Sequence, residues 1–272
     1  MTPPAIVLPF HDPQGIMAPY LWRLEAWLKQ RFTRAFIGLT HPTCEMQPEA
    51  VKRLQSDPFY CLTYNPPGSL PGEHYRAVYH SAAERSPADQ RLHLCDLDRP
   101  AFALLTGHRQ AYLADFDWVN AQRQPALFQR SPAAWATYPQ HYRQIEDMLG
   151  QVSELLYGQP YNFAWSYLVL QASDLAWLLP QLTCRDFGVL VEILILLRPR
   201  LLTRAVDWLA WEDPFILGRA AGELRSERDA SRDETLKRLR GMLPLFNAIL
   251  EKEPALQVEL VWEKAAPNPA GE

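Results

Sequence analysis

Short continuous apolar runs alternate along this chain with longer segments in which apolar residues recur at helical spacing. Ala5–Phe10 (AIVLPF) and residues 35–40 (AFIGLT) have the run length of strands buried on both faces. Between them Leu21, Leu24, Trp27 and Leu28 share one helical face. The pattern then predicts a helix over 49–54, a strand at Tyr60–Tyr64, a Pro/Gly loop at 65–72, a helix over 74–85 and a strand through 92–95. Further on it predicts a strand at 125–130, a helix over 139–157, and a strand at 163–170 that passes into a helix near Asp174. An apolar helix opens at Asp186, and a strand is expected at 205–211. Ser231 and Glu234 form a capping-box pattern before a stripe of Leu236, Leu239, Met242, Leu243, Phe246 and Leu250, with a kink expected at Pro244. Leu256, Val258, Leu260 and Trp262 alternate as a last edge strand, and 264–272 is expected to be a disordered tail. Alternating strands and helices, with no repeat or break in composition, predict one α/β domain over 1–263 built on a mostly parallel sheet.

Composition narrows the chemistry by exclusion. With 272 residues, 48% hydrophobic and 21% charged, the chain can bury a large core. A net charge of -4 with mixed signs makes no electrostatic case for nucleic acid or an anionic membrane surface. Cys44, Cys61, Cys95 and Cys184 are widely spaced with no CxxC, which argues against a zinc or disulfide framework and for a reducing cytoplasm. The longest apolar stretch, 187–197, contains Glu192 and stops at Arg198-Pro199, too short for a transmembrane helix. Met1-Thr2-Pro3-Pro4 lacks the basic start of a signal peptide. No phosphate-cradling GxxxxGK[ST] or GxGxxG loop occurs, nor GxSxG or HExxH.

The chemistry-bearing stretch is Leu92-His93-Leu94-Cys95-Asp96-Leu97-Asp98-Arg99. In an extended run residues two apart point the same way, so Asp96 and Asp98 would present two carboxylates together at a strand end. Hard divalent cations bound through phosphates take such ligands, and the carboxyl ends of strands in open α/β sheets are where ligands bind. The same residues also read as a solvated strand-end turn. Arg99 would meet a phosphate or pair with Asp98, and Glu212-Asp213 is a second acidic pair, read as a metal ligand, a substrate contact or loop polarity. His141 reads as a surface histidine, and His74 and His80, six apart, have poor metal spacing. Trp22, Trp27, Trp177, Trp208 and Trp211 read as core, leaving Trp118 and Trp135 as candidates for stacking on a ligand.

These pieces together resemble GT-A-type glycosyltransferases, the nucleotide-diphospho-sugar transferases. The resemblance is carried by a first strand running into Pro9-Phe10-His11-Asp12, the Asp96-Leu97-Asp98 triplet, the Thr137-Tyr138-Pro139 segment, and Asp186 followed by Glu192. It spans roughly residues 5–213 and implies a single three-layer α/β/α domain. It further implies that Pro9, His11 and Asp12 meet the nucleoside, with Asp96 and Arg99 at the ribose or diphosphate. Asp98, with Asp96, would hold Mn²⁺ or Mg²⁺. A carboxylate base for the acceptor hydroxyl would be Asp186, which also reads as a helix cap, or Glu192, which also reads as a buried carboxylate paired with an arginine. The expected partners are a nucleotide-diphosphate sugar and an unidentified hydroxyl acceptor, with a homo-oligomer left open. The rival is a catalytically silent relative that binds a nucleotide sugar or a protein. A nucleotidyltransferase would want a glycine-rich basic loop after the first strand, and HDPQG has one glycine and no lysine. A haloacid-dehalogenase-type phosphatase would want its acidic pair near the chain start followed by threonine, where Arg99-Pro100 stands.

Overall fold

A computed structural model describes residues 2–252 of the chain. Seven strands form its centre: β1 (Ala5–Phe10), β2 (Ala35–Leu39), β3 (Tyr60–Tyr64), β4 (Arg91–Cys95), β5 (Ala126–Arg130), β6 (Tyr167–Gln171) and β7 (Leu202–Val206). They lie in the order β3-β2-β1-β4-β6-β5-β7, and β6 alone runs antiparallel to its neighbours. Val7 faces Phe36 on one side and Leu94 on the other, and Leu94 in turn faces Leu168. The early helices are α1 (Ala18–Arg31), α2 (His41–Met46), α3 (Pro48–Gln55), α4 (Pro71–Arg85), α5 (Asp98–Leu105) and α6 (Arg109–Ala121). The later ones are α7 (Pro132–Thr137), α8 (Gln140–Tyr157), α9 (Ala172–Leu178), α10 (Gly188–Leu197), α11 (Asp213–Ile216), α12 (Ala221–Ala230) and α13 (Arg232–Lys252).

Strand alternation divides the core into two layers and gives the α/β/α sandwich. Ala5, Val7, Leu92, Leu94, Leu168 and Leu170 pack under Val78 of α4, Leu149 of α8, Leu175 of α9, Val189 and Ile193 of α10 and Leu245 of α13. Ile6, Leu8, Ile37, Phe128 and Val169 face the other way, under Leu21 and Leu28 of α1, Leu54 of α3, Ala101 of α5 and Val119 of α6. Both faces of β1, β2 and β4 are therefore covered, which is why those strands read as unbroken apolar runs.

Several expectations shift. The strand expected at 205–211 is β7, Leu202–Val206, followed by a 3-10 turn at Asp207–Leu209. As the edge strand it is half-exposed, so Leu-Thr-Arg-Ala-Val carries no continuous apolar run. The strand expected at 163–170 begins only at Tyr167. In α13 the buried residues are Met242, Leu245, Ala248 and Ile249, on a helix that packs against α10 and α8; Leu236, Leu239, Leu243 and Leu250 are exposed. Pro244 lies inside α13 without ending it. His141 is buried and paired with Asp229, and Trp177 is exposed beneath Arg200. The expected strand at 256–262 and the tail at 264–272 lie outside the described residues. Among the described residues, no helix is long and apolar enough to cross a membrane.

From β1 the chain steps to β2 and β3 on one side and then returns as β4 on the other. The boundary between β1 and β4 is thus the point where the winding reverses, and the loops beyond their carboxyl ends diverge to leave a crevice.

Candidate active site

Two connected lobes open at that edge. The first, about 520 Å³, is lined by Pro9, Phe10 and His11 after β1, Thr40 after β2, His74 and Tyr75 of α4, and Asp96 to Asp98 after β4. The second, about 260 Å³, is lined by Arg99, Arg130, Tyr138, Glu212, Asp213 and Arg238, among others. Tyr75, Asp96 and Phe187 border both lobes, so Asp96 stands where they meet and Asp98 lines the first.

The local chain path differs from a strand-end alternation. β4 stops at Cys95, Leu97 is already in the right-handed helical region, and the Arg99 amide donates to the Asp96 carbonyl at 3.2 Å. A turn into α5, not strand pleating, brings the two carboxylates together, and Asp98 is the first residue of that helix. There the positive end of the helix dipole favours an anion. Burial still pushes Asp96 up to about 6, opposed mainly by Arg99. Asp98 is raised for the same reason, with Arg99 again the largest opposing influence. Its Oδ1 is buried without a hydrogen-bond partner, with the Arg99 Nε 3.5 Å away.

Arg99 ties the two lobes together. It contacts Glu212 directly in a buried ion pair and donates to the Tyr138 hydroxyl at 3.1 Å. That hydroxyl also reaches the Leu209 carbonyl at 3.1 Å and Glu212 Oε2 at 3.4 Å. Burial raises the Glu212 pKa, with Arg99 pulling the other way and Asp98 and Asp213 pushing it further up. Asp213 pairs with Arg228 and accepts from the Trp211 indole at 3.1 Å.

Other candidate residues are placed elsewhere or otherwise occupied. His11 and Pro9 line the first lobe, where His11 Nδ1 lies 2.9 Å from the Thr40 hydroxyl. Asp12 is buried and caps α1: its two oxygens accept from the amides of Ile16, Met17 and Ala18 at 2.7 to 2.9 Å. The carboxylate is consumed by the helix start and does not line the crevice. Asp186 accepts from the Gly188 amide at 2.9 Å as a turn before α10, and it is the adjacent Phe187 that lines the lobes. Glu192 is withdrawn from the crevice. It is 2% exposed, accepts from the Thr183 and Cys184 amides and the Thr183 hydroxyl, and pairs with Lys252 at 2.9 Å. Its partner is thus a lysine, not an arginine, and its role is to tie a loop to two helices.

Of the stacking candidates, Trp118 packs under Arg204 and Trp135 under Arg130. His74, set aside for its spacing, is a crevice residue. Its Nδ1 sits 2.7 Å from the Asn65 amide nitrogen, which can only donate, so Nε2 carries the proton. That Nε2 is buried without a partner, and burial lowers the ring's pKa to about 4, keeping it neutral. Tyr75 carries no local sequence signal, and the Thr137-Tyr138-Pro139 segment gave Tyr138 no partner, because the partners of both lie 21 to 74 residues away.

The residues fit a cation held jointly with a ligand. Among the described residues no three acidic, histidine or cysteine side chains converge on a metal-binding point. Asp96 and Asp98 supply two carboxylates, one with a buried oxygen that has no hydrogen-bond partner, and phosphate oxygens and water would complete the coordination of Mn²⁺ or Mg²⁺.

No protein-family model matches the chain, and no curated protein matches it. Among solved structures it is similar to glucosyl-3-phosphoglycerate synthase from Mycobacterium tuberculosis in complex with phosphoglyceric acid, at 11% identity and TM-score 0.45 over 87% of this chain and 79% of that one. It is also similar to 4-diphosphocytidyl-2C-methyl-D-erythritol synthase from Anaerococcus prevotii, at 6% identity and TM-score 0.44 over 87% of this chain and 93% of that one. At those values neither likeness bears on what this chain binds.

Proposed function

We propose that this chain is a transferase that moves a sugar from a nucleotide-diphosphate donor to a hydroxyl acceptor. The observation that carries the reading is the Asp96–Asp98 pair beside the sheet's winding reversal, Asp96 at the junction of the two lobes and Asp98 with a buried oxygen that lacks a hydrogen-bond partner. The first lobe takes the nucleoside, with His74 Nε2–H as a donor in its wall. The diphosphate lies at Asp96 and Asp98, and the acceptor occupies the second lobe. Bound Mn²⁺ or Mg²⁺ would neutralise the diphosphate as it departs.

Glu212 takes the role of base in this reading, in place of Asp186 and Glu192. With Oε2 held by Arg99 and Tyr138, Oε1 accepts the proton of the acceptor hydroxyl. The acceptor oxygen forms its bond to the anomeric carbon while the bond to the diphosphate oxygen breaks, its electron pair leaving with the diphosphate. Burial keeps Glu212 easier to protonate than an exposed glutamate, as a base near neutral pH requires.

Isothermal titration with UDP and GDP, with and without Mn²⁺, tests the reading. Wild type should bind one of them in a metal-dependent manner, and Asp98→Ala should lose that dependence. Absence of metal-dependent binding, or an unaltered Asp98→Ala variant, refutes it. Binding without sugar transfer would point to the silent relative instead.

A further inference from the structure

In the wall of the second lobe two arginines share a single carboxylate. Arg130, at the end of β5, and Arg238, from α13, both line it. Both guanidiniums pair with one carboxylate, Glu146 of α8, at 3.0 Å from Arg130 and in direct contact with Arg238. Among the described ion pairs neither arginine has a second acid. Glu146 is 4% exposed and lines, with Arg130, a separate cavity and not this lobe.

The two cations are also held in place. Arg130 lies over the rings of Trp135 and Tyr138 at 4.6 and 4.7 Å, and Arg238 over Tyr142 at 4.4 Å. The Nε of each is buried with no acceptor. Burial, with Arg130 and Arg99 nearby, lowers Arg238 to about 10, which leaves it charged at neutral pH. One arginine would suffice to neutralise Glu146. A second, rigid and short of acceptors at the wall of a cavity, is the arrangement that receives a planar or tetrahedral oxyanion.

We propose that the acceptor in this lobe is itself an acid, a hydroxyl compound whose phosphate or carboxylate group is received by Arg130 and Arg238 while its hydroxyl lies at Glu212. This rests on the transferase reading for the role of the bound molecule, though not for the anion site itself. A lobe of about 260 Å³ encloses a small acid or the anionic end of a larger one.

Three probes of one carbon skeleton test it on the full chain by isothermal titration: glycerol 3-phosphate, glycerate and glycerol. At least one of the anions should bind, roughly tenfold or more tighter than glycerol, and the tighter of the two identifies the group. Arg238→Gln, which leaves Glu146 paired with Arg130, should weaken that anion roughly tenfold, and Arg238→Lys less. Should the glutamine variant not fold, the lysine variant and the wild-type contrast with glycerol carry the test. Glycerol binding as well as the anions, no binding of any probe, or anion affinity unchanged in a folded Arg238→Gln overturns the proposal. Arg238-dependent anion binding in a wild type that binds neither UDP nor GDP would overturn the transferase reading and leave the anion site standing.

Discussion

Replacing Glu192 separates a structural carboxylate from a catalytic one. Its two oxygens accept from the Thr183 and Cys184 amides at 3.0 to 3.1 Å and from the Thr183 hydroxyl at 2.8 Å, and the Lys252 ammonium lies 2.9 Å away. In Glu192→Ala both amides lose their acceptor, at about 1 kcal/mol each, the low end for a partly buried donor. Lys252, 30% exposed at its side chain, returns to water with little penalty. The cavity left among Val189, Ile193 and their neighbours adds about 1 kcal/mol. The whole comes to about 3 kcal/mol, a fall in Tm of roughly 5 °C for a chain of this length. Glu192→Gln keeps one acceptor oxygen and should lose about 1–2 kcal/mol.

The pH dependence has a definite sign. Burial raises the Glu192 pKa, but Lys252 and the donors from Cys184 and Thr183 outweigh it and hold the group below its ordinary value of 4.5. The folded state therefore binds this proton more weakly than the unfolded chain. Its stabilisation is complete above the unfolded pKa and is lost as pH falls through the folded one. Urea unfolding of wild type and Glu192→Gln should show the full gap at pH 7 and a closing gap below pH ~4. Titration with UDP and GDP in the presence of Mn²⁺ should be the same for both proteins. A loss under about 1 kcal/mol in Glu192→Ala would refute the structural assignment. So would a folded Glu192→Gln that abolishes sugar transfer.

Gly72→Ala would place a Cβ 2.4 Å from the Asp186 carbonyl oxygen, where backbone and not a flexible side chain must give way. Thermal unfolding should show a loss of about 1–3 kcal/mol, and nucleotide affinity should fall because the displaced 185–187 segment carries Phe187 into both lobes. Glu212→Gln should lower the rate of sugar transfer roughly 10²–10⁴-fold while leaving donor binding within a factor of a few, as read by kcat against donor KM. An unchanged kcat would remove Glu212 from the role of base.

The alternation of apolar runs with helical stripes is enough to read an α/β domain on a mostly parallel sheet, because strands buried on both faces must be apolar throughout and the helices between them need only one apolar side. It also located Asp96 and Asp98 beside a strand end, since an abrupt change from Leu-His-Leu-Cys to acid marks where the sheet meets solvent. Yet the same local pattern could not say how the pair is brought together, which a turn into α5 decides. Nor could it separate Asp12, Asp186 and Glu192 from functional acids. A carboxylate that caps a helix or ties down a loop is written with the same letter as one that faces a ligand; only its partners differ.

Those partners are a tertiary matter. Arg99 meets Glu212 across 113 residues and Tyr138 across 39. Arg130 and Arg238 converge on Glu146 from a strand and a helix far apart in the chain. Sequence by itself determined the layers of this protein and the edge at which its acids gather, because burial imposes a period on neighbouring residues. The tertiary structure alone decided which charges are spent on one another and which are left facing the crevice, because Coulomb interactions and hydrogen bonds depend on distance in space and leave no period along the chain.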